Sequence, residues 1–251
     1  MFLSGRLGPK VALASPTITA QQLQKLLQGK PKNLKLLDVA YTLKEPASQD
    51  EFFKTYARAD LYPELMFSRF VRRLGINQND DVILYGRGQN GGMLFSARAW
   101  WLLRKGNWQA TKPREDLIAR WDELNGSGAF EHLDKVNFLD CRPAAEFKGT
   151  KPLAFPSNGA RGAHIKGSRC VPLTEVIDES GELKEPDEIR QVLDEAGFDA
   201  EKQTMTVCNG GTQACLLGLA LSKAGLPFRL YNGSLREVSK RRPELISEKW
   251  L

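Results

Sequence analysis

Histidine and cysteine are scarce in this chain. Its 251 residues include two histidines and four cysteines, and the cysteines lack the spacing of a metal site. This scarcity argues against a metal centre and against a disulfide framework, and it indicates reduced thiols in a reducing compartment. We predict no metal and no cofactor. With only His132 and His164 available, a cysteine–histidine hydrolase has little support.

Long apolar runs are also missing. No stretch approaches the length of about 20 residues that a membrane-spanning helix needs, so we expect no membrane association. Apolar residues make up 41% and charged residues 26% of the chain, as in ordinary globular proteins. The length suits one large or two small domains.

Acidic residues are absent before Asp38, whereas six basic residues precede it. A mitochondrial targeting segment has this composition. Thr17 to Leu27, however, has the pattern of a capped first helix of a fold, so we expect a cytoplasmic protein, with mitochondria as the alternative. Residues 1–125 contain 19 basic and 12 acidic side chains. This diffuse excess, without a clustered basic face, argues against nucleic-acid binding.

The most informative segment runs from Thr204 to Ala224. A run rich in β-branched residues ends at Cys208, a turn with Gly210 and Gly211 follows, and an amphipathic run comes next. The pattern predicts strand, tight loop and helix, and open α/β sheets bind ligands at such a position. Loop amides and the helix dipole would favour the thiolate form of Cys208. The alternative is a buried structural cysteine.

The remaining elements alternate along the chain. We predict an arm or edge segment over residues 1–14 and a polar loop with some helix over 41–60. Helices are predicted over 19–28, 61–74, 94–105, 113–124 and 186–196. Strands are predicted over 34–39, 81–85, 136–140 and 228–231, with a turn and short strand in 163–172.

An internal repeat organises these elements. Residues 36–39 match 138–141, residues 81–86 match 203–208, and residues 102–106 match 221–225. The chain therefore contains two copies of one α/β unit, which we assign to residues 1–125 and 126–251. The first copy is shorter and has Gly86 where the second has Cys208.

Several short motifs together resemble one known family. They are Val82–Tyr85, Phe95–Arg98, Trp100–Arg104, Leu139–Arg142, Phe147–Gly149, Gly162–Gly167, Cys208–Cys215 and Tyr231–Ser234. In order, spacing and duplication they resemble the tandem rhodaneses, which are thiosulfate and 3-mercaptopyruvate sulfurtransferases.

This resemblance implies two tandem rhodanese-like domains of α/β class, each a central parallel sheet flanked by helices, with only the second one catalytic. Cys208 matches the cysteine that takes a sulfane sulfur from a small anionic donor and passes the persulfide sulfur to a thiol acceptor such as thioredoxin or glutathione. Its matching loop residues are Asn209, Gly210, Gly211, Thr212 and Gln213. Arg142 matches an arginine beside the site, where a guanidinium would suit an anionic donor.

Other positions depart from the family pattern. Glu146 replaces an arginine that binds the sulfur donor. The thiosulfate enzymes have basic residues in the loop, and the 3-mercaptopyruvate enzymes have a serine two residues after the cysteine, where this chain has Asn209 and Gly210. A carboxylate repels an anionic donor, so the alternative is a weak or inactive member that binds or senses sulfur species. A phosphatase of related fold is disfavoured, because no arginine lies between Asn209 and Leu221.

The other polar candidates have mainly structural interpretations. We expect His164 to lie in a structural turn, and Asp38 and Asp140 to end their strands and bind loop amides. Trp100 and Trp101 fit a core or a domain interface. Arg161 and Lys166 fit either an anion-binding loop or a solvated surface.

Overall fold

In a computed structural model of the chain, the described residues are 2–6, 16–29, 31, 33–39, 68–69, 71–72, 74–77, 80–88, 90–105, 115–151 and 163–247. The predicted segment 41–60, most of 61–74, and Arg161 lie outside them. The chain divides into two compact units. One comprises Met1–Glu115 with Glu179–Glu182, and the other comprises Asp116–Asp178 with Leu183–Leu251.

The first unit contains a four-stranded sheet and two helices with defined bounds. These elements are β1 (Phe2–Arg6), β2 (Thr17–Ile18), α1 (Ala20–Gln28), β3 (Leu34–Asp38), β4 (Asp81–Tyr85) and α2 (Met93–Lys105). The strand order is β2-β1-β4-β3. The pair β3 and β4 is parallel, whereas β1 is antiparallel to both of its neighbours. The N-terminal segment therefore supplies an interior strand, which corrects the expected arm or edge.

Local sequence accounts for the start of α1. The Thr19 side chain accepts a hydrogen bond from the Gln22 backbone N–H at 3.1 Å, and the Gln22 side chain accepts one from the Thr19 N–H at 2.7 Å. This reciprocal pair is a capping box, which satisfies N–H groups that have no partner within the helix. The predicted first helix is thus confirmed.

The second unit contains a five-stranded parallel sheet. Its elements are β5 (Ile118–Ala119), α3 (Trp121–Gly126), β6 (Asn137–Asp140), α4 (Ala144–Phe147), β7 (Arg169–Cys170), α5 (Leu173–Val176), α6 (Pro186–Glu195), β8 (Thr204–Val207), α7 (Thr212–Lys223), β9 (Arg229–Tyr231) and α8 (Ser234–Arg241). The strand order is β5-β9-β8-β6-β7, and every neighbouring pair is parallel. The expected α/β class is confirmed, with a fully parallel sheet in the second unit and a mixed one in the first, where β1 is antiparallel to its neighbours.

One predicted helix is wrong. Residues 113–124 were expected to form a helix, but Ile118 and Ala119 form β5 and pair with Leu230 and Tyr231 of β9. Pairing with a distant strand overrides the local helical pattern here. Because β5 belongs to the second sheet, the second unit begins near residue 116 rather than at residue 126.

Helix α7 lies at the centre of the second unit. All residues from Ala214 to Leu221 are buried, and the helix packs on β8, β9, α5 and α6. Another apolar cluster includes Phe138, Met205, Val207 and Tyr231. Strand β8 thus lies between packed layers, and this packing fixes the position of the loop that joins β8 to α7.

One strand pair of the sequence repeat has the same parallel register in both units. Asp38 of β3 pairs with Tyr85 of β4, and Asp140 of β6 pairs with Val207 of β8. The loops that follow differ. A Cβ atom on Gly86 would lie 2.7 Å from the Gly92 carbonyl oxygen, so the first unit has no room for a side chain at the position equivalent to Cys208. Among the described residues, no helix has the length and apolarity needed to cross a bilayer.

Candidate active site

Cys208 directly follows β8, at the carboxyl end of a central strand. It is 1% exposed. Its Sγ accepts a hydrogen bond from the Gly211 N–H at 3.0 Å, and the backbone amides of Gly210 and Ala214 help to lower its pKa. The predicted strand-end position and the amide-lined loop are therefore both present.

This environment favours the thiolate. Burial alone would raise the pKa of Cys208, but hydrogen bonds from the Cys141 thiol and from the Ala214 and Gly210 amides outweigh it and lower the pKa to about 6. The dipole of α7 acts in the same direction. These surroundings therefore favour the nucleophilic thiolate form of Cys208 over the thiol.

Glycine is required at one loop position and not at its neighbour. Gly211 has a φ of 86°, and a Cβ there would lie 2.6 Å from the side-chain oxygen of Asn232. Gly210 has no atom within 4 Å of the place its Cβ would take. Gly211 therefore sets the curl of the loop, while Gly210 borders open space.

Ser234 supports the loop from the turn after β9, and sequence reasoning missed this role. It is fully buried, and its Oγ accepts a hydrogen bond from the Cys208 N–H at 3.2 Å and donates one to the Tyr231 carbonyl at 2.9 Å. The Leu235 N–H donates to the Cys208 carbonyl at 3.0 Å. The motif 231–234 was noted only as part of the family pattern.

Cys141 is the second residue that the sequence did not single out. It directly follows β6, is fully buried, and its N–H donates to the Val207 carbonyl at 3.1 Å. Its thiol and the Cys208 sulfur each shift the pKa of the other. Burial and the adjacent Cys208 raise the pKa of Cys141 well above its usual range, so this sulfur keeps its proton and acts as the donor.

Arg142 lies behind the loop, fully buried. Its Nη2 donates to Asp140 Oδ2 at 2.8 Å and to the Ala163 carbonyl at 2.9 Å, and its Nε donates to both Asp140 oxygens at 3.0 Å. Asp140 Oδ1 also accepts from the Arg142 backbone N–H at 3.0 Å, which confirms the expected loop-binding role of Asp140. Direct contact between Arg142 and the anionic sulfur-donor substrate stays a prediction.

Asn209 links this arginine to Glu146. Its side-chain oxygen accepts from Arg142 Nη1 at 3.5 Å, and its amide nitrogen donates to Glu146 Oε2 at 3.3 Å. The carboxylate of Glu146 is therefore beside the residue that follows Cys208. The departure from the family pattern at Glu146 falls at the site itself.

The other predicted loop residues begin α7. Thr212 and Gln213 are partly exposed residues of its first turn, directly after Gly211. The structure thus brings Asn209, Gly210, Gly211, Thr212 and Gln213 into one loop around Cys208. Their binding roles stay predictions.

The two remaining candidates have partners outside this loop. His164 Nδ1 lies 2.9 Å from the Phe147 carbonyl oxygen and 3.1 Å from Ser247 Oγ, and its ring stacks on Phe147. This fits the structural interpretation. Lys166 Nζ donates to the Glu244 carbonyl at 2.8 Å. Within the described part of the chain, no group of three or more histidine, cysteine or carboxylate side chains is arranged to hold a metal ion.

Known proteins with similar sequences include sulfurtransferases. The Rhodanese-like domain family matches residues 129–241. The 3-mercaptopyruvate sulfurtransferase of Escherichia coli K12 is 32% identical over 205 residues, which cover 70% of each chain. The thiosulfate sulfurtransferase of Gallus gallus is 29% identical over 209 residues, 72% of this chain and 71% of the relative.

Solved structures show a similar fold. The Tum1 protein from Saccharomyces cerevisiae superposes with a TM-score of 0.71 and 22% identity, covering 94% of this chain and 99% of that one. At this level of identity the similarity concerns the fold alone.

Proposed function

The chain belongs to the rhodanese-like sulfurtransferase family, and from that premise we propose that it transfers sulfane sulfur through a persulfide on Cys208. The observation that carries the proposal is a buried cysteine at the end of β8 whose Sγ accepts a hydrogen bond from the Gly211 N–H just before α7, in surroundings that lower its pKa to about 6. Such a thiolate can attack sulfur at neutral pH.

The first step would load the enzyme. With thiosulfate, Cys208 Sγ attacks the outer sulfur, the sulfur–sulfur bond of the donor breaks, and sulfite leaves with the electron pair. With 3-mercaptopyruvate the carbon–sulfur bond breaks and pyruvate forms after protonation. The amides of Gly210, Gly211 and Ala214 would stabilise the negative outer sulfur of the persulfide.

The second step would transfer the outer sulfur from Cys208 to an acceptor. A thiolate acceptor, of the thioredoxin or glutathione type, attacks the outer sulfur and leaves Cys208 as a thiolate. We expect this reaction in the cytoplasm, where such thiols are kept reduced. No metal or cofactor is required by either step.

Glu146 would set the charge preference of the site. Its carboxylate accepts a hydrogen bond from the side chain of Asn209, which directly follows Cys208. The negative charge therefore disfavours a sulfur donor with two negative charges more than a sulfur donor with one. We therefore expect 3-mercaptopyruvate to be preferred over thiosulfate. Glu146→Gln removes the charge at nearly constant shape, and it should raise kcat/KM for thiosulfate more than for 3-mercaptopyruvate.

A second candidate function is sulfur binding or sensing without fast turnover. It is favoured by Arg142, whose Nε and Nη2 groups are engaged by Asp140 and Ala163. In that case one sulfur would load on Cys208, but acceptors would not discharge it catalytically.

Steady-state turnover separates the two candidates. The assay measures thiocyanate from thiosulfate and cyanide, and pyruvate from 3-mercaptopyruvate with a dithiol acceptor. A sulfurtransferase gives many turnovers that Cys208→Ser abolishes. Cys170→Ser is the matched control, because burial raises the pKa of partly exposed Cys170 to about 11. One turnover or fewer for wild type with every donor would exclude the enzyme and leave the binding function.

A further inference from the structure

Two cysteines lie side by side at the ends of neighbouring strands. Asp140 of β6 pairs with Val207 of β8. Cys141 is the residue that follows Asp140, and Cys208 is the residue that follows Val207. The Cys141 N–H continues the ladder to the Val207 carbonyl at 3.1 Å. Side chains at paired positions of parallel strands point to the same face of the sheet, so this register brings the two sulfurs together.

The register of the two strands is compatible with a disulfide. The two side chains are 0% and 1% exposed, and each sulfur shifts the pKa of the other. Neighbouring strands lie about 4.7–4.9 Å apart, which is within the range of about 4.4–6.8 Å between Cα atoms of disulfide-bonded cysteines. A Cys141–Cys208 bond is therefore compatible with the register of β6 and β8.

We propose that Cys141 is a resolving cysteine, which discharges the Cys208 persulfide within the protein and releases sulfide. This inference rests on the proposed persulfide. It adds an activity to sulfur transfer, because sulfide leaves before any external acceptor has reacted.

The atoms and electrons of the step balance. The negatively charged outer sulfur of the persulfide accepts the Cys141 proton while Cys141 Sγ attacks Cys208 Sγ. The bond between Cys208 Sγ and the outer sulfur breaks, and the outer sulfur leaves with the electron pair as HS⁻. The sulfane sulfur is reduced to sulfide while two cysteines are oxidised to a disulfide. An external dithiol then reduces the disulfide and restores the site.

The neighbouring position of Cys141 favours this route over attack by an external acceptor. Cys141 directly follows β6 beside Cys208 at the end of β8, whereas an external thiol must first bind at the site. Proximity of this kind replaces a bimolecular encounter with an intramolecular step.

The test follows one loaded protein sample over time. Wild type, Cys141→Ser and Cys170→Ser are each treated with 3-mercaptopyruvate or polysulfide, desalted without thiol, and followed by intact mass and sulfide release. Serine at residue 141 can still donate a hydrogen bond but cannot form a disulfide. Cys141→Ala, examined alongside it, separates loss of the sulfur from loss of the hydrogen-bond donor.

In wild type we expect the species heavier by about 32 Da to convert into one lighter than the reduced protein by about 2 Da, with one equivalent of sulfide. Two of the four thiols then resist alkylation after denaturation, and tryptic peptides 136–148 and 203–223 are linked. Cys170→Ser should behave like wild type. Cys141→Ser and Cys141→Ala should keep the added sulfur.

Two results would overturn the inference, and they distinguish its failure from failure of the persulfide function. If wild type keeps its added sulfur as long as Cys141→Ser does, Cys141 is not a resolving cysteine and the persulfide function stands. If no variant gains sulfur from any donor, the persulfide function fails and the inference fails with it.

Discussion

The single methyl group added by Gly211→Ala tests how the loop holds Cys208. Gly211 has a φ of 86°, and the new Cβ would lie 2.6 Å from Asn232 Oδ1 and 2.9 Å from its carbonyl oxygen. A left-handed backbone costs alanine about 1–2 kcal/mol, and overpacking costs about 1–3 kcal/mol. We therefore expect the free energy of unfolding to fall by about 2–5 kcal/mol.

The same change should also alter the thiol. Relief of the clash moves the Gly211 N–H away from Cys208 Sγ, so the thiolate loses a donor and the pKa of Cys208 rises. Urea denaturation measures the stability, and the pH dependence of iodoacetamide alkylation measures the pKa.

Gly210→Ala is the matched control. Its Cβ would meet no atom within 4 Å, so we expect a stability within about 0.5 kcal/mol of wild type and an unchanged pKa. If Gly211→Ala equals Gly210→Ala in both measurements, the loop is not held in the way described.

Three further predictions concern the same site, one for wild type and two for substitutions. Alkylation of Cys208 in wild type should rise with pH through a midpoint of about 6 and then level off, because only the thiolate reacts; a midpoint near 9 would show that the amides do not stabilise it. Asp140→Asn should destabilise the protein by about 3–5 kcal/mol, since it leaves the buried Arg142 charge unpaired, and thermal unfolding that matches wild type would contradict this. Ser234→Ala should cost about 1–3 kcal/mol, because the buried Cys208 N–H loses its acceptor. Ser239→Ala removes only a hydrogen bond from a partly exposed side chain to the Arg236 carbonyl within α8, so it should cost clearly less in the same urea titration.

Local sequence was sufficient for the elements whose signals are local. The Thr19 cap predicts the start of α1, and the β-branched run before Cys208 predicts β8 and the loop after it. The repeat predicts that β6 and β8 correspond to β3 and β4, and the two pairs have the same register.

Contacts between distant segments were not predictable in the same way. Residues 118–119 have helical neighbours in sequence, but they form a strand because β9 offers a pairing edge. The role of Ser234 depends on the turn after β9 lying beside Cys208.

The sequence contained part of the information that places Cys141 beside Cys208. Both cysteines directly follow predicted strands, and the repeat makes those strands counterparts of β3 and β4. What the sequence lacks is the register, which decides whether the two sulfurs face each other. The pairing of Arg142 also had a partial signal, because Asp140 lies two residues earlier in the sequence. In the structure the Arg142 guanidinium donates hydrogen bonds to Asp140, whereas the sequence alone assigns it to the anionic sulfur donor.

The most direct test of the central claim is the intact mass of the protein after brief incubation with each donor, followed by rapid removal of the donor. We predict that wild type gains one sulfur, about 32 Da, and that Cys208→Ser gains none. Cys215→Ser, which changes a buried cysteine in α7, should gain sulfur as wild type does. Equal gain by wild type and Cys208→Ser, or no gain by wild type with any donor, would contradict a persulfide on Cys208.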